Sequence, residues 1–266
     1  MQEIRLVRRV DRHAEFFHKT EWVKGESEVR IMVDIHCHIL YEVDDGADSA
    51  QTSRRIIDDM AHQQITDVIV TPHFRRHMFS YPSEKIEEAY KDLSAYAKEK
   101  GIRLYPGCEY HVDHDIYKNL QEGRVHTLAD TRYVLTEYSY SDGLSRIVEY
   151  TQELVMRGYQ PVIAHAERYQ VFQRKPKLIY EATDAGAMIQ LNAGSVLGKE
   201  GWGVKRCARK LLDLEAADFI ASDTHDLDER ACHMKECRDL VSRKYSEKAA
   251  QRLFEDNARQ LLPSRR

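Results

Sequence analysis

Seven short apolar runs, most followed by a longer amphipathic stretch, recur along the chain from residue 32 onward. The runs are Met32–Ile35, Asp67–Thr71, Arg103–Tyr105, Tyr133–Thr136, Pro161–Ala164, Met188–Leu191 and Phe219–Ala221. Short strands that alternate with helical segments are typical of repeated βα units around a parallel sheet. The pattern therefore predicts an α/β fold, and a chain of 266 residues suits a single (β/α) barrel.

Helices are predicted between these strands and after the last of them. The predicted helices are 49–63, 83–100, 144–157, 176–185, 204–216, 228–243 and 246–262. Ser83 is expected to be an N-cap, and Gly101, Gly158 and Gly186 are expected to lie just past the ends of three helices. No stretch rich in Gly, Ser or Pro interrupts this series. Residues 32–262 are therefore predicted to form one domain.

Residues 1–31 precede the first predicted strand and are mixed in charge. Terminal segments of this kind are often poorly ordered, so we expect an extension rather than a part of the domain. Two alternatives stay open. The segment could be a docking arm, or translation of the native protein could begin at Met32.

Polar side chains that can bind metal ions follow the ends of the predicted strands. They are His36, His38 and Asp45 after the first strand, His73 after the second, Glu109 after the third, Glu137 after the fourth, His165 after the fifth, and Asp223 and His225 after the seventh. In a βα barrel these strand ends meet at one face, where active sites are built. We therefore expect the nine side chains to lie together.

A multinuclear metal centre explains this group better than any single-residue role does. His36 and His38 are two residues apart on an extended chain, so both imidazoles can face one ion. A single acid at a strand end is more often a helix cap, but many clustered acids and imidazoles without ions would be costly in a cleft. Three divalent ions against four carboxylates leave about +2, which suits a phosphate ester and hydroxide attack at phosphorus.

Four arginines lie near the same predicted face. Arg168 and Arg230 follow the fifth and seventh strands and are predicted to bind phosphoryl oxygens, since a guanidinium does so bidentately. The alternative for both is a salt bridge to a ligand carboxylate. Arg75 and Arg76 are expected on a loop at the rim, where they would meet an acidic or phosphorylated peptide.

The composition of the chain indicates which kinds of partner and which cellular compartment to expect. The chain has 40 basic and 44 acidic residues, which argues against electrostatic capture of nucleic acid as its main task. A mean hydropathy of −0.62 and the lack of long apolar runs argue against a spanning helix. Five cysteines without a CxxC pair, and no secretory signal, predict a reducing cytoplasm. The spacing of Cys232 and Arg238 fits a cysteine phosphatase, but a helical stretch without glycine makes chance the better explanation.

The segments MVDIHCHILYEVDDGADS, VTPHFRRHMF, PGCEYHVD, YVLTEYSY, PVIAHAERY, LNAGSVLG and ASDTHDLDER occur in this order between about residues 32 and 235. Together they closely resemble the PHP-family, metal-dependent protein-tyrosine phosphatases of bacterial capsule and exopolysaccharide loci. The resemblance implies a distorted seven-stranded (β/α) barrel of the PHP fold. It also implies a cytoplasmic enzyme that hydrolyses phosphotyrosine by attack of metal-activated hydroxide. Its partner would be the C-terminal tail of a cognate bacterial tyrosine kinase.

The resemblance further implies three divalent ions, usually assigned as manganese. One set would be His36, His38, Glu109 and Asp223; a second Glu109, Glu137 and His165; a third Asp45, His73 and His225. Arg168 and Arg230 fall where the family places its phosphate-binding arginines. The mixture of imidazole and carboxylate does not by itself choose among manganese, iron, zinc and magnesium. Cys37 is expected to be packed rather than ligating.

Three other functions stay open at this point. A PHP phosphatase for a small ester such as histidinol phosphate would use the same site with different loops. A PHP nuclease receives little support from the near-neutral charge. A non-catalytic module that binds a kinase tail would be favoured by a missing metal ligand, and no ligand position is substituted. The oligomeric state cannot be read from the sequence.

Overall fold

Parallel strands form the centre of the fold in residues 32–79 and 81–263, the part of the chain that the computed structural model describes. The strands are β1 Met32–Cys37, β2 Ile65–Val70, β3 His73–Phe74, β4 Arg103–Tyr105, β5 Glu109–His111, β6 Tyr133–Glu137, β7 Gln160–Ile163, β8 Met188–Asn192 and β9 Phe219–Ala221. One sheet has the order β1–β2–β4, and the other has the order β3–β5–β6–β7–β8–β9. The predicted α/β class with a parallel sheet is confirmed. The predicted extension 1–31 lies outside the described residues.

The segments β3 and β5 were not predicted, and they lie just past the ends of the second and third predicted strands. Pro72 lies between β2 and β3, and Pro106 lies between β4 and β5. Proline has no N–H group to donate to a neighbouring strand, so it ends regular pairing. The register is the same on both sides of the prolines, since Ile69 pairs with Tyr105 in β2–β4 and His73 pairs with Glu109 in β3–β5.

Strand β1 of the first sheet lies beside β9, the last strand of the second sheet, so the strands curl round. The backbone N–H of Asp223, just after β9, donates to the carbonyl of His36 at 2.8 Å, and His38 N–H donates to the carbonyl of Thr224 at 2.8 Å. On its other side β1 pairs with β2 in parallel. The carboxyl ends of the strands consequently face one common region.

Helices cover the outside of the strands. In chain order they are α1 Ala50–His62, α2 Ser83–Glu99, α3 Ile116–Gln121, α4 Leu144–Met156, α5 Gln170–Arg174, α6 Ile179–Asp184, α7 Ala193–Leu197, α8 Trp202–Asp213, α9 Met234–Lys244, α10 Glu247–Gln251 and α11 Asn257–Arg259, with a π-helical turn at Arg252–Asp256. All residues of β1 and β6 are buried, as expected for parallel strands covered on both faces. No helix within the described ranges has the length and apolar character needed to cross a bilayer.

Helix ends agree with the sequence in part. Gly101 and Gly158 follow helix ends with φ of +78° and +87°, a conformation that glycine adopts without steric cost. The prediction that Ser83 caps α2 is wrong, because Pro82 occupies the cap position and Ser83 is already helical. The helix predicted to start at 228 begins only at Met234. The Asp226 carboxylate accepts backbone N–H bonds in this segment and holds a turn there instead.

Candidate metal centre

The structure brings all nine predicted ligands together, most of them near the carboxyl ends of strands, with His73 and Glu109 at the starts of the short segments β3 and β5 that follow β2 and β4. They lie in or just after β1, β3, β5, β6, β7 and β9: His36, His38, Asp45, His73, Glu109, Glu137, His165, Asp223 and His225. Eight of them are buried. The exception is Asp45, whose side chain is 44% exposed, so the group opens to solvent on the Asp45 side.

The first predicted set converges tightly. His36 Nε2 lies 3.1 Å from His38 Nε2, 3.2 Å from Glu109 Oε2 and 3.4 Å from Asp223 Oδ1. His38 Nε2 lies 3.3 Å from Glu109 Oε2 and 3.6 Å from Asp223 Oδ1. Ligand atoms of His36, His38 and Asp223 thus all lie within 4.8 Å of one another, and Glu109 Oε2 lies beside both imidazoles.

The second predicted set uses the other oxygen of Glu109. Glu109 Oε1 lies 2.8 Å from His165 Nε2, and His165 Nε2 lies 3.9 Å from Glu137 Oε1. Glu109 therefore presents one oxygen to each set, which is what a bridging carboxylate requires. His73 also approaches this region, because its Nδ1 lies 3.0 Å from Glu109 Oε2.

The third predicted set forms around the exposed carboxylate. Asp45 Oδ1 lies 3.3 Å from His73 Nε2 and 3.4 Å from His225 Nε2. The His38 ring stacks on the His225 ring with 3.9 Å between centroids, and a ligand atom of His38 lies within 4.8 Å of those of the other three residues. The sequence prediction placed His38 in the first set alone and His73 in the third set alone. In the structure His38 lies close to both the first and the third sets, and His73 lies close to both the second and the third sets. The three sets are contiguous.

The donor chemistry of these residues fits bound cations. Four buried atoms in the centre make no hydrogen bond of acceptable geometry: His73 Nδ1, Glu137 Oε2, His165 Nδ1 and His225 Nε2. Two of them, His73 Nδ1 and His225 Nε2, nevertheless lie 3.0 Å and 3.4 Å from a carboxylate oxygen. Buried polar atoms without partners are costly, so natural proteins rarely retain them without a ligand, a water or an ion. Imidazole nitrogens and carboxylate oxygens are the common ligands of divalent transition metals.

Electrostatic coupling inside the centre is strong. Burial would raise the pKa of Glu109, but the neighbouring His36 and His73 hold that pKa well below its ordinary value. Burial would lower the pKa of His36, but the carboxylates of Glu109 and Asp223 raise it to about 9. Burial and Glu109 together raise the pKa of Glu137 to about 7. The protein therefore concentrates acidic groups here that protons or other cations must balance.

The backbone is strained where two of these side chains enter the centre. His165 has a φ of +33° and Asp223 a φ of +53°, a left-handed conformation that is uncommon outside glycine. Gln190 Oε1 accepts the His165 N–H at 2.8 Å and holds this residue in place. Such conformations cluster at functional sites, where the surrounding structure enforces them.

Asp44 positions two of the imidazoles, a role that the sequence analysis missed. Its Oδ2 lies 2.8 Å from His38 Nδ1 and accepts the backbone N–H of His73 at 2.9 Å. A Cβ atom at the adjacent Gly46 would lie 2.1 Å from the His38 carbonyl oxygen, so this turn requires glycine. The signal was the DDG sequence, of which only Asp45 was assigned a role. Carboxylates that hold the second nitrogen of a ligating imidazole fix its tautomer and orientation.

Gln190 was also missed, and Asn192, the polar residue at the end of the sixth predicted strand, was assigned no role. Gln190 Oε1 lies 3.1 Å from His36 Nδ1, and Asn192 Nδ2 donates to Asp223 Oδ2 at 2.7 Å. Both residues are on β8, which delivers none of the nine predicted ligands. This strand supports the centre through hydrogen bonds.

We expect the Asp44→Asn variant to bind divalent metal about 10- to 100-fold more weakly, since partners of ligating histidines commonly contribute that much. The amide keeps an oxygen but removes the negative charge that faces His38. Competition against a chelator of known affinity measures the change. Asp48→Asn is the matched control, because Asp48 is exposed and its carboxylate accepts hydrogen bonds from Ser49 and Thr52. Equal metal affinity for Asp44→Asn and wild type would contradict the positioning role.

Both predicted phosphate-binding arginines lie against carboxylates of the centre. Arg168 Nη1 lies 2.8 Å from Asp223 Oδ2, and Arg168 Nε lies 2.7 Å from Glu200 Oε2. Arg230 Nη1 lies 3.0 Å from Asp45 Oδ2. These contacts are the alternative that the sequence left open, and they place both guanidinium groups at the centre.

The two rim arginines differ from each other. Arg76 Nη1 pairs with Asp115 Oδ2 at 2.7 Å, and its side chain is 47% exposed. Arg75 begins a turn in which Phe79 N–H donates to the Arg75 carbonyl at 2.8 Å. The Phe79 ring stacks on His73 with 5.0 Å between centroids, so this turn lies beside the centre.

The cysteines do not form a second catalytic centre. Burial raises the pKa of Cys232 well above its ordinary value, and Arg238 pairs with Glu247 at 2.7 Å and Glu255 at 2.8 Å. Burial therefore opposes the thiolate form of Cys232, and Arg238 is already paired with two glutamates. Cys37 is fully buried, with its Sγ 3.6 Å from the Ile69 carbonyl, as predicted for a packed residue.

Residues 32–263 match the family model described as capsular polysaccharide synthesis, CpsB/CapC. The tyrosine-protein phosphatase CpsB of Streptococcus pneumoniae is 33% identical over 238 residues, which cover 87% of this chain and 98% of that protein. The tyrosine-protein phosphatase YwqE of Bacillus subtilis (strain 168) is 31% identical over 234 residues, which cover 87% of this chain and 91% of that protein.

The fold is also similar to a crystal structure from work on YwqE of Bacillus subtilis and CpsB of Streptococcus pneumoniae, which describes them as unique metal-dependent tyrosine phosphatases. The TM-score is 0.81 at 28% identity, and the match covers 87% of this chain and 94% of the other. The residues matched by the family model include all nine members of the candidate metal centre. This chain therefore belongs to the CpsB/CapC family of capsular polysaccharide synthesis.

Proposed function

We propose that this chain is a metal-dependent tyrosine-protein phosphatase that acts in the synthesis of capsule or exopolysaccharide. One observation carries the proposal: five imidazoles and four carboxylates meet at the strand ends, with Glu109 facing two sets at once. The relatives of this chain that are named tyrosine-protein phosphatases support it.

The centre is proposed to hold three divalent ions in the three sets described above. Manganese is the proposed metal, with iron, zinc and magnesium as alternatives, because the ligands mix imidazole with carboxylate. When bound, such ions lower the pKa of water to give a hydroxide nucleophile and offset the charge of the phosphoryl group. The exposed side of Asp45 is the entrance by which substrate would reach them.

Arg168 and Arg230 are proposed to bind the nonbridging phosphoryl oxygens. Arg168 is mostly buried and fixed between Asp223 and Glu200, so its fork is oriented before substrate arrives. Arg230 is 36% exposed beside Asp45, at the entrance. Tyrosine, with a pKa near 10, is a fair leaving group, so a strong general acid is unnecessary.

The Arg230→Lys variant is expected to raise KM for a phosphotyrosine peptide about tenfold, with a smaller fall in kcat. Lysine keeps the charge but loses the bidentate contact with phosphoryl oxygens. Steady-state kinetics measure both constants. Arg54→Lys, which alters an exposed pair with Asp92, is the control. An unchanged KM in Arg230→Lys would remove this residue from the substrate site.

The finer features of this proposal concern partner, compartment and architecture. The substrate is proposed to be the C-terminal tail of a cognate bacterial tyrosine kinase, in the cytoplasm. Five free, buried cysteines are consistent with a reducing compartment. Residues 32–262 are proposed as one domain in which the interrupted strands count as a distorted barrel of seven, and the limits of the family match support this. Arg75 and Arg76 are proposed to contact the peptide around the phosphotyrosine.

Three substrates tested side by side decide between this function and its rivals. We expect the metal-loaded protein to hydrolyse a phosphotyrosine peptide faster than histidinol phosphate or single-stranded DNA. Activity should disappear with a chelator and survive iodoacetamide, because the centre uses no cysteine. A higher kcat/KM for histidinol phosphate than for the peptide would overturn the proposed substrate class.

A further inference from the structure

A basic groove lies outside the metal centre, between α8 and the segment Gln170–Leu178. We call it the α8 groove, and its volume is about 620 Å³. The cations that line it are Arg174, Lys205, Arg206, Arg209 and Lys210. Asp213 is the only carboxylate among its lining residues, which leaves a local charge of about +4, whereas the whole chain carries −4.

The cations of the α8 groove are not neutralised from within. In the described part of the chain, none of the five forms an ion pair with a carboxylate. Arg174 donates to the Gln170 side chain at 3.3 Å, and Arg209 donates to the Val196 carbonyl at 3.3 Å. The groove therefore keeps a positive potential that favours an anionic ligand.

The α8 groove adjoins the chain segment that carries Arg168. Gln173 lines the groove, and its Nε2 donates to the carbonyls of Glu167 at 3.0 Å and Arg168 at 3.2 Å. On the other side, Glu200 bonds Arg168 and precedes Trp202 by two residues, so their Cα atoms lie within about 7 Å. The groove therefore lies next to the segment that presents Arg168 to the centre.

We propose that the α8 groove binds an acidic segment of the protein substrate, adjacent to its phosphotyrosine; this rests on the proposed function. Carboxylates of the segment pair with the arginines, which bind them bidentately. Trp202 is 74% exposed and offers a flat apolar surface at the edge of the groove, with Arg206 over its ring at 5.0 Å. Helix α8 has 12 residues and is about 18 Å long, which an extended segment of about five residues spans.

An acidic peptide fits the groove better than an anionic membrane does. The cations line a concave space between two elements rather than a flat face. Trp202 is the only large apolar side chain among the lining residues that is substantially exposed, whereas peripheral membrane helices present a broad apolar face.

Binding is tested first without catalysis, using the full chain and a fluorescent peptide of five glutamates that has no phosphotyrosine. The triple variant Arg174→Gln/Arg206→Gln/Lys210→Gln should raise its Kd about tenfold in low salt, by anisotropy. The control triple Lys85→Gln/Lys91→Gln/Lys98→Gln removes the same charge from exposed positions on α2 and should change Kd less than about twofold. Equal Kd values for both triples overturn the proposal. So does a loss of binding to phosphatidylglycerol vesicles without a loss of peptide binding.

Kinetics then separate this inference from the proposed function. Two phosphotyrosine peptides are compared, one flanked by five glutamates and one by five glutamines. We expect about tenfold lower KM for the glutamate peptide in wild type, and loss of this advantage in the groove triple, with kcat for the glutamine peptide unchanged. Equal KM values in wild type overturn the groove assignment and leave the proposed phosphatase intact. If the wild type hydrolyses neither peptide, the proposed function is overturned. The proposed docking of substrate is then overturned as well, even if the anisotropy shows binding.

Discussion

The Glu109→Gln variant is expected to lose about 10³-fold in kcat on a phosphotyrosine peptide, which corresponds to about 4 kcal/mol of transition-state stabilisation. Glu109 contacts four of the five imidazoles of the centre, those of His36, His38, His73 and His165. One oxygen faces His36 at 3.2 Å and His38 at 3.3 Å, and the other faces His165 at 2.8 Å. Glutamine has nearly the same shape but offers one neutral oxygen and one N–H donor, so it cannot link two sets of ligands.

Single-turnover and steady-state kinetics, with metal content measured on the same samples, check this expectation. Glu149→Gln makes the same chemical change at an exposed position on α4 and should leave kcat unchanged. Circular dichroism should be the same for both variants and wild type. If Glu109→Gln kept more than about a tenth of wild-type kcat, Glu109 would not be a bridging ligand.

The double variant His36→Ala/His38→Ala is expected to lose bound metal and turnover together. These imidazoles lie 3.1 Å apart and supply both nitrogen donors of the first set. Their loss leaves the carboxylates of Glu109 and Asp223 buried without these partners, so no cation is held there with sufficient affinity. We expect at least one metal ion per chain to be lost and activity to fall below about 10⁻³ of wild type.

Exposed histidines supply the matched control for that variant. His114 and His126 have side chains that are 75% and 39% exposed, and these side chains pair with Asp115, Arg76 and Asp130. The double variant His114→Ala/His126→Ala should keep its metal and its activity. Turnover that survives in His36→Ala/His38→Ala would refute metal-dependent hydrolysis at this centre.

The positions of the nine candidate ligands could be predicted from the sequence because strand ends are local features. A β-branched run and the polar residue after it are adjacent in the chain, and parallel pairing then brings all such residues to one face. His165 and Asp223 are examples, since each lies two residues past the end of its strand. Which ligands could bind the same ion depends on the direction of each side chain, which the sequence does not give. The approach of His73 Nδ1 to Glu109 was therefore not predicted.

Features that depend on contacts between distant segments were not predictable in this way. Asp44 orients His38 because a turn returns its carboxylate to the ring six residues earlier, and its sequence neighbour Asp45 looks equivalent. The prolines at 72 and 106 split two strands, so β3 and β5 were too short to show a pattern. The partners of Arg168 come from residues 200 and 223, which no local motif connects with it.

Metal content measured together with activity tests the central claim most directly. The protein is purified without added ions, stripped with a chelator and then titrated with manganese, while bound metal and phosphotyrosine-peptide hydrolysis are followed in parallel. We predict that stripping abolishes activity and that activity returns as about three ions bind per chain. Full activity in the metal-free protein, or no tight binding of divalent ions at all, would contradict the account.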